Sequence, residues 1–122
     1  MRHGRKGKKL GRKKEHRVAM LKNLLTSLLI HERIKTTLPK AKVTKSLAER
    51  LIARAQEDSL SQRRYAQRIL GDKKLVKRLF TEIAPRFKER VGGYCRIVRA
   101  GFRPGDNAEM AILELVEKGE RK

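Results

Sequence analysis

Between residues 14 and 30, Val18, Leu21, Leu25 and Leu28 recur at three- and four-residue intervals, with Met20 and Leu24 beside them. That spacing predicts an amphipathic helix over about 14–30 with a broad apolar face. The following "ERIKTT" (32–37) is short and carries β-branched residues at 34, 36 and 37, which predicts a strand. Pro39 fits the first turn of a second helix and holds Leu38 extended, so Thr37 or Leu38 takes the cap position. This helix is expected over 39–56, with Val43, Leu47, Leu51, Ala48, Ile52 and Ala55 facing inward.

"EDSLSQRRYAQRIL" offers Ser59 or Ser61 as an N-terminal cap and Gly71 as a stop, giving a third helix. Asp72 caps "KKLVKRLFTEI", whose Leu75, Val76, Leu79, Phe80 and Ile83 form a fourth apolar stripe. Ala84-Pro85 interrupts that stripe, and "RFKER" adds one irregular turn. "VGG" (91–93) reads as a turn. "YCRIVRA" (94–100) and "EMAILELV" (109–116) are strand-like and flank the turn-rich "GFRPGDN", which predicts an antiparallel hairpin.

The expected fold is therefore α+β: a basic N-terminal arm, then helix, strand, three helices and two strands. Its small three-stranded sheet packs against the helices on one face. The expected division is a flexible basic arm at 1–13, a globular domain at 14–117 and a charged tail at 118–122. No internal repeat is visible.

Charge says more about function than composition does. The 122 residues suit one domain, and the 39% apolar content is concentrated after residue 17. Lys and Arg number 33 against 13 acids, a formal charge of +20. The first seventeen residues hold nine basic side chains and one acid, +8, which leaves +12 on the rest. Self-repulsion on this scale is tolerable where a dense anion neutralises it. Nucleic acid is the first candidate, because phosphates release counterions to Lys and Arg; an anionic membrane surface is the second. "MLKNLLTSLLI" (20–30) after a basic start has the outline of a secretory signal. Lys22 and Asn23 interrupt it and no small-x-small cleavage site follows, so a core helix is expected instead. The lone Cys95 excludes an internal disulfide and is expected to be a buried, inert thiol.

The search for catalytic chemistry is negative. "HERIK" (31–35) begins like a zinc-protease H-E-x-x-H but has Lys35 in place of the second ligand. His3, His16 and His31 lack metal-ligand spacing, so no metal is expected, and each histidine reads as a solvent or phosphate contact. "GFRPGDN" has neither the glycine spacing nor the strand-to-helix context of a phosphate-binding loop. No cofactor is expected, and no enzyme.

What remains is a binding constellation. The arm and its junction supply Arg2, Arg5, Lys6, Lys8, Lys9, Arg12, Lys13, Lys14 and Arg17, with glycines that permit close backbone approach to a phosphate. A solubilising tail is the bland alternative, but the charge far exceeds what solubility needs. "KTTLPKAK" gathers Lys35, Thr36, Thr37, Lys40 and Lys42 around a helix start, where unpaired N–H groups already favour an anion. Arg63 and Arg64 on the third helix face either solvent or phosphate. "PRFKERVGGYCRIVRAGFR" mixes Arg86, Lys88, Arg90, Arg96, Arg99 and Arg103 with Phe87, Tyr94 and Phe102. Interleaved aromatic and Arg groups can stack on unpaired bases. Phe87 is expected in the core; Tyr94 is counted among the RNA contacts.

"MRHGRKGKKLGRKKEHR", "IKTTLPKAK", "LFTEIAPRFKERVGGYCRI" and "GFRPGDNAEMAILELV" together resemble the family of bacterial large-subunit ribosomal proteins numbered seventeen. The resemblance covers residues 1–117. It implies an α+β structural protein of the cytoplasmic ribosome, one copy each, with large-subunit ribosomal RNA and neighbouring large-subunit proteins as partners. It also implies a place on the solvent side near the peptide exit tunnel, and no partnership with DNA or membrane. The family's arm enters RNA, and the matching positions here include Arg2, His3, Arg5, Lys8, Lys9 and Arg12. Where the family often has a Ser-type cap before the first helix, this chain has Lys13-Lys14-Glu15. Charge alone also permits a DNA-compacting protein, although no helix-turn-helix or dimerisation signature is present.

Overall fold

The first apolar stripe winds into α1 (Lys14–His31), which stops where Glu32 adopts a left-handed backbone (φ 66°) and its N–H bonds Leu28 O at 2.7 Å. The computed structural model describes residues 14–117. After the turn the chain forms β1 (Arg33–Thr37) and passes directly into α2 (Leu38–Arg54), with Pro39 in its first turn as expected. Ser59 caps α3 (Leu60–Leu70) by accepting from Gln62 N, and Gly71 ends it at φ 70°. A side chain at Gly71 would be strained by that φ, and its Cβ would meet Lys22 Nζ at 2.8 Å. The predicted cap at Asp72 accepts from Lys74 N and opens α4 (Lys73–Arg78).

The fourth stripe does not continue as regular α-helix. A π turn (Leu79–Ile83) and a 3-10 turn (Ala84–Phe87) follow α4. Pro85 has no N–H for the helical ladder, so the winding changes ahead of it. Gln56 Nε2, from beyond the end of α2, donates to Ala84 O at 3.0 Å and ties this irregular turn down. Leu75, Val76, Leu79, Phe80 and Ile83 are all buried, as their spacing predicted.

The last two strands, β2 (Cys95–Phe102) and β3 (Glu109–Leu115), form the predicted antiparallel hairpin. β3 also pairs antiparallel with β1, giving the order β1-β3-β2, with the latest strand in the centre. Between Arg99 and Phe102 the register slips by one residue, at Gly101 with φ 86°. Opposed residues share a face of the sheet. Ile34, Leu113 and Ile97 make one such row; Arg33, Glu114 and Arg96 make the next, on the other face. α2 packs on all three strands and α1 on β1 and β3, so the helices cover one face and leave the second open.

The core joins Leu25, Leu28 and Leu29 of α1 to Leu51 and Ile52 of α2, and to Leu113 and Leu115 of the sheet. Two expected faces are corrected. Val18 is 57% exposed, because Lys14, Glu15, His16, Val18 and Ala19 all lie in solvent and the first turns of α1 project beyond the core. On α2 the buried line is Ala41, Thr44, Ala48, Leu51 and Ile52, while Val43 and Leu47 are half-buried. Small side chains hold the line of closest approach, which an apolarity pattern weighted toward Val and Leu misses.

Candidate nucleic-acid interface

Local structure splits the "KTTLPKAK" run. Along β1 successive side chains alternate faces, so Lys35, opposite Ile112, lies on the open side, while Thr36, opposite Ala111, is buried against the helices. Thr36 is therefore corrected out of the candidate surface. Thr37 sits at the cap of α2 with extended φ and ψ (−71°, 153°), but its hydroxyl makes no capping bond, and the first turn holds no acid. The start of α2 thus combines unneutralised positive dipole, Lys40 and Lys42. Lys40 also lines a groove of about 410 Å³ with His16, Asn23 and Ser27 of α1. Two candidates far apart in sequence, His16 and Lys40, meet there.

The arginines selected from the sequence have mostly found carboxylates inside the molecule. Arg63 is held bidentate by Asp58 at 2.6 and 2.9 Å, and this hydrogen bond lowers the Asp58 carboxyl below its usual range. Arg90 lies 3.6 Å from Glu117 and Arg99 3.1 Å from Glu109. Arg96 and Arg33 flank Glu114 on the open sheet face, at 2.6 and 3.7 Å. Arg103 grips Asp106 across the hairpin loop, with Nη2 at 2.7 Å.

Arg86 is the most firmly held of these arginines. Its guanidinium donates two bonds to Glu32, at 2.7 and 2.9 Å, and Arg78 adds a third at 2.8 Å. Arg78 also donates to Leu29 O and to Glu82. This cluster clamps the α1–β1 turn to α4 and the turns after it. A left-handed, non-glycine backbone is unfavourable by itself, on the order of 1–3 kcal/mol. At that position the Glu32 carboxylate is held by both guanidiniums, which offsets the cost. Through these bonds Arg86 serves the fold.

Tyr94 is corrected as well. It is buried, with its ring 5.1 Å from that of Phe87 in an edge-to-face contact, so both rings belong to the core. Phe102, by contrast, is 63% exposed. Cys95 is buried; desolvation, with Glu49 nearby, raises its thiol to about 12, so it stays protonated and unreactive. Glu49 accepts from Cys95 N at 3.2 Å, closing the start of the β2 edge.

The lysines behave differently. Among the described residues Lys14, Lys35, Lys40, Lys42 and Lys88 form no ion pair, and Lys22, Lys45, Lys73, Lys74 and Lys77 form none either. Arg17 is half-buried on α1. Arg64 is exposed and without a carboxylate partner. Sequence reasoning passed over Arg50, Arg54 and Arg68, which share that state; their four-residue spacing was the available signal. The arm candidates Arg2, His3, Arg5, Lys6, Lys8, Lys9, Arg12 and Lys13, and the tail at 118–122, lie outside the described residues. No group of His, Cys, Asp or Glu suited to a metal occurs among the described residues, and none of their helices is long and apolar enough to cross a membrane.

Residues 20–116 match the family model described as ribosomal protein L17. A relative from Geotalea daltonii, named large ribosomal subunit protein bL17, is 52% identical over 118 residues, covering 97% of this chain and 65% of the relative. Its namesake from Geobacter metallireducens is 51% identical over 118 residues, covering 97% of this chain and 66% of the relative. The chain thus spans about two thirds of the length of these curated relatives.

Proposed function

The chain belongs to the ribosomal protein L17 family, and on that premise we propose that it is a structural constituent of the large ribosomal subunit. In this role it binds and neutralises the subunit's ribosomal RNA through its basic arm and the cations around the β1–α2 junction, without catalysing a reaction. The observation that carries this reading is the standing of Lys14, Lys35, Lys40 and Lys42, which have no carboxylate partner among the described residues in a chain of charge +20. Charges left in this state repel one another in the free protein and are relieved by a polyanion. The relatives' name, large ribosomal subunit protein, supplies the particle.

The mechanism is electrostatic and geometric. Basic residues of the arm, taken up between RNA strands, cancel phosphate repulsion there and gain from the counterions released. Lysines at the α2 start act as point charges beside the helix dipole, and the free Thr37 hydroxyl adds a donor. Recognition is by RNA shape and 2′-hydroxyls, since the major groove of an RNA helix is too deep and narrow for side chains to read. On this reading the protein sits on the subunit's solvent side near the peptide exit, in contact with neighbouring proteins, one copy per cytoplasmic ribosome.

Binding to a transcript of the large-subunit ribosomal RNA, measured against salt, tests this. About eight phosphates neutralised by the arm and the β1–α2 junction contribute roughly −6 to −7 to the log–log slope. A slope shallower than about −2, or a preference for duplex DNA in competition at moderate salt, overturns the reading.

A further inference from the structure

We propose a second RNA-binding site, on the outer surface of α2 and α3, in which Arg50, Arg54, Arg64 and Arg68 take backbone phosphates around the ring of Tyr65. The proposal rests on the reading above and adds to it a surface that neither the arm nor the β1–α2 junction includes.

Arg50 and Arg54 lie four residues apart on α2, and Arg64 and Arg68 four apart on α3. Each pair therefore shares one helix face, its members about 6 Å apart along the axis. Tyr65 joins the two pairs. The Arg54 guanidinium carbon stands 3.9 Å from the Tyr65 ring centre and that of Arg68 5.9 Å from it. All four arginines are exposed, and among the described residues none has a carboxylate partner. Arg63 shows the alternative on the same helix: one residue away, it is neutralised by Asp58.

Like charges at four-residue spacing disfavour their own helices, and here one member of each pair, Arg54 and Arg68, lies against the same ring. Such a cluster is relieved by an anion from outside. The Tyr65 ring holds the Arg54 guanidinium over its face, with that of Arg68 at its margin, and leaves their N–H groups for the forked recognition of phosphate. The regular axial spacing suits successive phosphates of one strand. A protein partner would need an apolar centre to bury. Leu60 is the one large apolar side chain exposed along α3, against four guanidiniums.

The experiment compares two fourfold variants of the full chain on the large-subunit ribosomal RNA transcript. Arg50→Gln, Arg54→Gln, Arg64→Gln and Arg68→Gln remove unpaired charges. Arg33→Gln, Arg96→Gln, Arg99→Gln and Arg103→Gln remove the same number from arginines already paired with acids. The first set is expected to flatten the salt slope by about 3, from four phosphate contacts at about 0.7–0.9 each, and the second by less than about 1. Circular dichroism monitors folding; if the first variant melts early, Arg64→Gln with Arg68→Gln on α3 serves instead, with half the shift.

Equal flattening by both sets, or an unchanged slope with the first set while the parent stays steep, overturns this site and leaves the broader reading intact. A parent chain indifferent to RNA overturns both. A photocrosslinking residue at position 64 that attaches to RNA in assembled subunits supports the site. Attachment only to a neighbouring protein refutes it.

Discussion

Arginine does opposite work on two sides of this molecule. On the sheet, the hairpin loop and the α4 end, Arg33, Arg78, Arg86, Arg96, Arg99 and Arg103 each stand against a carboxylate within the chain. On the outer surface of α2 and α3, Arg50, Arg54, Arg64 and Arg68 stand against none among the described residues. The paired set spends its charge on the fold: Arg78 and Arg86 clamp the turn at Glu32. The unpaired set repels itself in the free fold, offset in part where Arg54 and Arg68 meet Tyr65, and on the proposal above is relieved by an arriving anion. Net charge reports the sum of both kinds. Pairing separates them, and it is visible only once distant carboxylates are brought to their partners.

The largest effect expected from breaking this division comes from outside both regions. Deleting residues 2–13 removes seven Lys and Arg side chains. The salt slope on large-subunit ribosomal RNA should flatten by about 5 to 6, and affinity should fall by orders of magnitude. The body should remain folded, because its core is complete from Leu25 onward. Loss of the helical circular dichroism spectrum in this variant would break the separation of binding charge from folding charge.

Glu32→Gln attacks the paired side. It removes the carboxylate that Arg86 holds and one of the two held by Arg78, which keeps Glu82, with the Glu32 side chain only 14% exposed. Losing one partner of a fully buried pair costs about 3–5 kcal/mol; partial exposure of Arg78 and Arg86 reduces the expectation to about 1–3 kcal/mol. For a domain of this size that lowers the melting midpoint by several degrees, read by thermal denaturation. RNA affinity should hold. Unchanged stability would mean that the carboxylates on this side are incidental, and the contrast between the two sides would lose its meaning.

The fold was largely legible in the sequence because local signals agreed: caps at Ser59 and Asp72, the stop at Gly71, and Pro39 in a first turn all lie where the pattern put them. The π turn before Pro85 and the strand order were not legible, since both depend on packing between distant segments. Val18 shows that an apolar stripe can run past the end of its core. The site was half legible. Lys35, Lys40 and Lys42 are exposed or half-buried cations as read, but Thr36 and Tyr94 point inward, and composition could not say so. Arg86 looked like Arg64 in the sequence; a carboxylate 54 residues away made them different.

The hairpin loop offers the smallest effect and the finest test of the division. Asp106 accepts from Arg103 Nε and Nη2 at 3.2 and 2.7 Å, and from Ala108 N at 3.2 Å. These bonds, Arg103 foremost, lower its carboxyl from 3.8 to about 2. A folded-state value below the unfolded one means that any stabilisation is complete above the unfolded value and fades as pH falls toward 2. The pair is fully exposed, so global stability should scarcely register the change. The carboxyl itself should: NMR titration is expected to place Asp106 near 2 in the parent chain, and Arg103→Gln should return it toward 3.8. At neutral pH that substitution should also change the RNA salt slope less than Arg64→Gln does, because the Arg103 charge is already answered within the chain. If instead the Asp106 midpoint ignores Arg103, the loop guanidinium is free in solution. It would then belong with the arginines of α2 and α3, and exposed pairs could no longer be counted as neutralised.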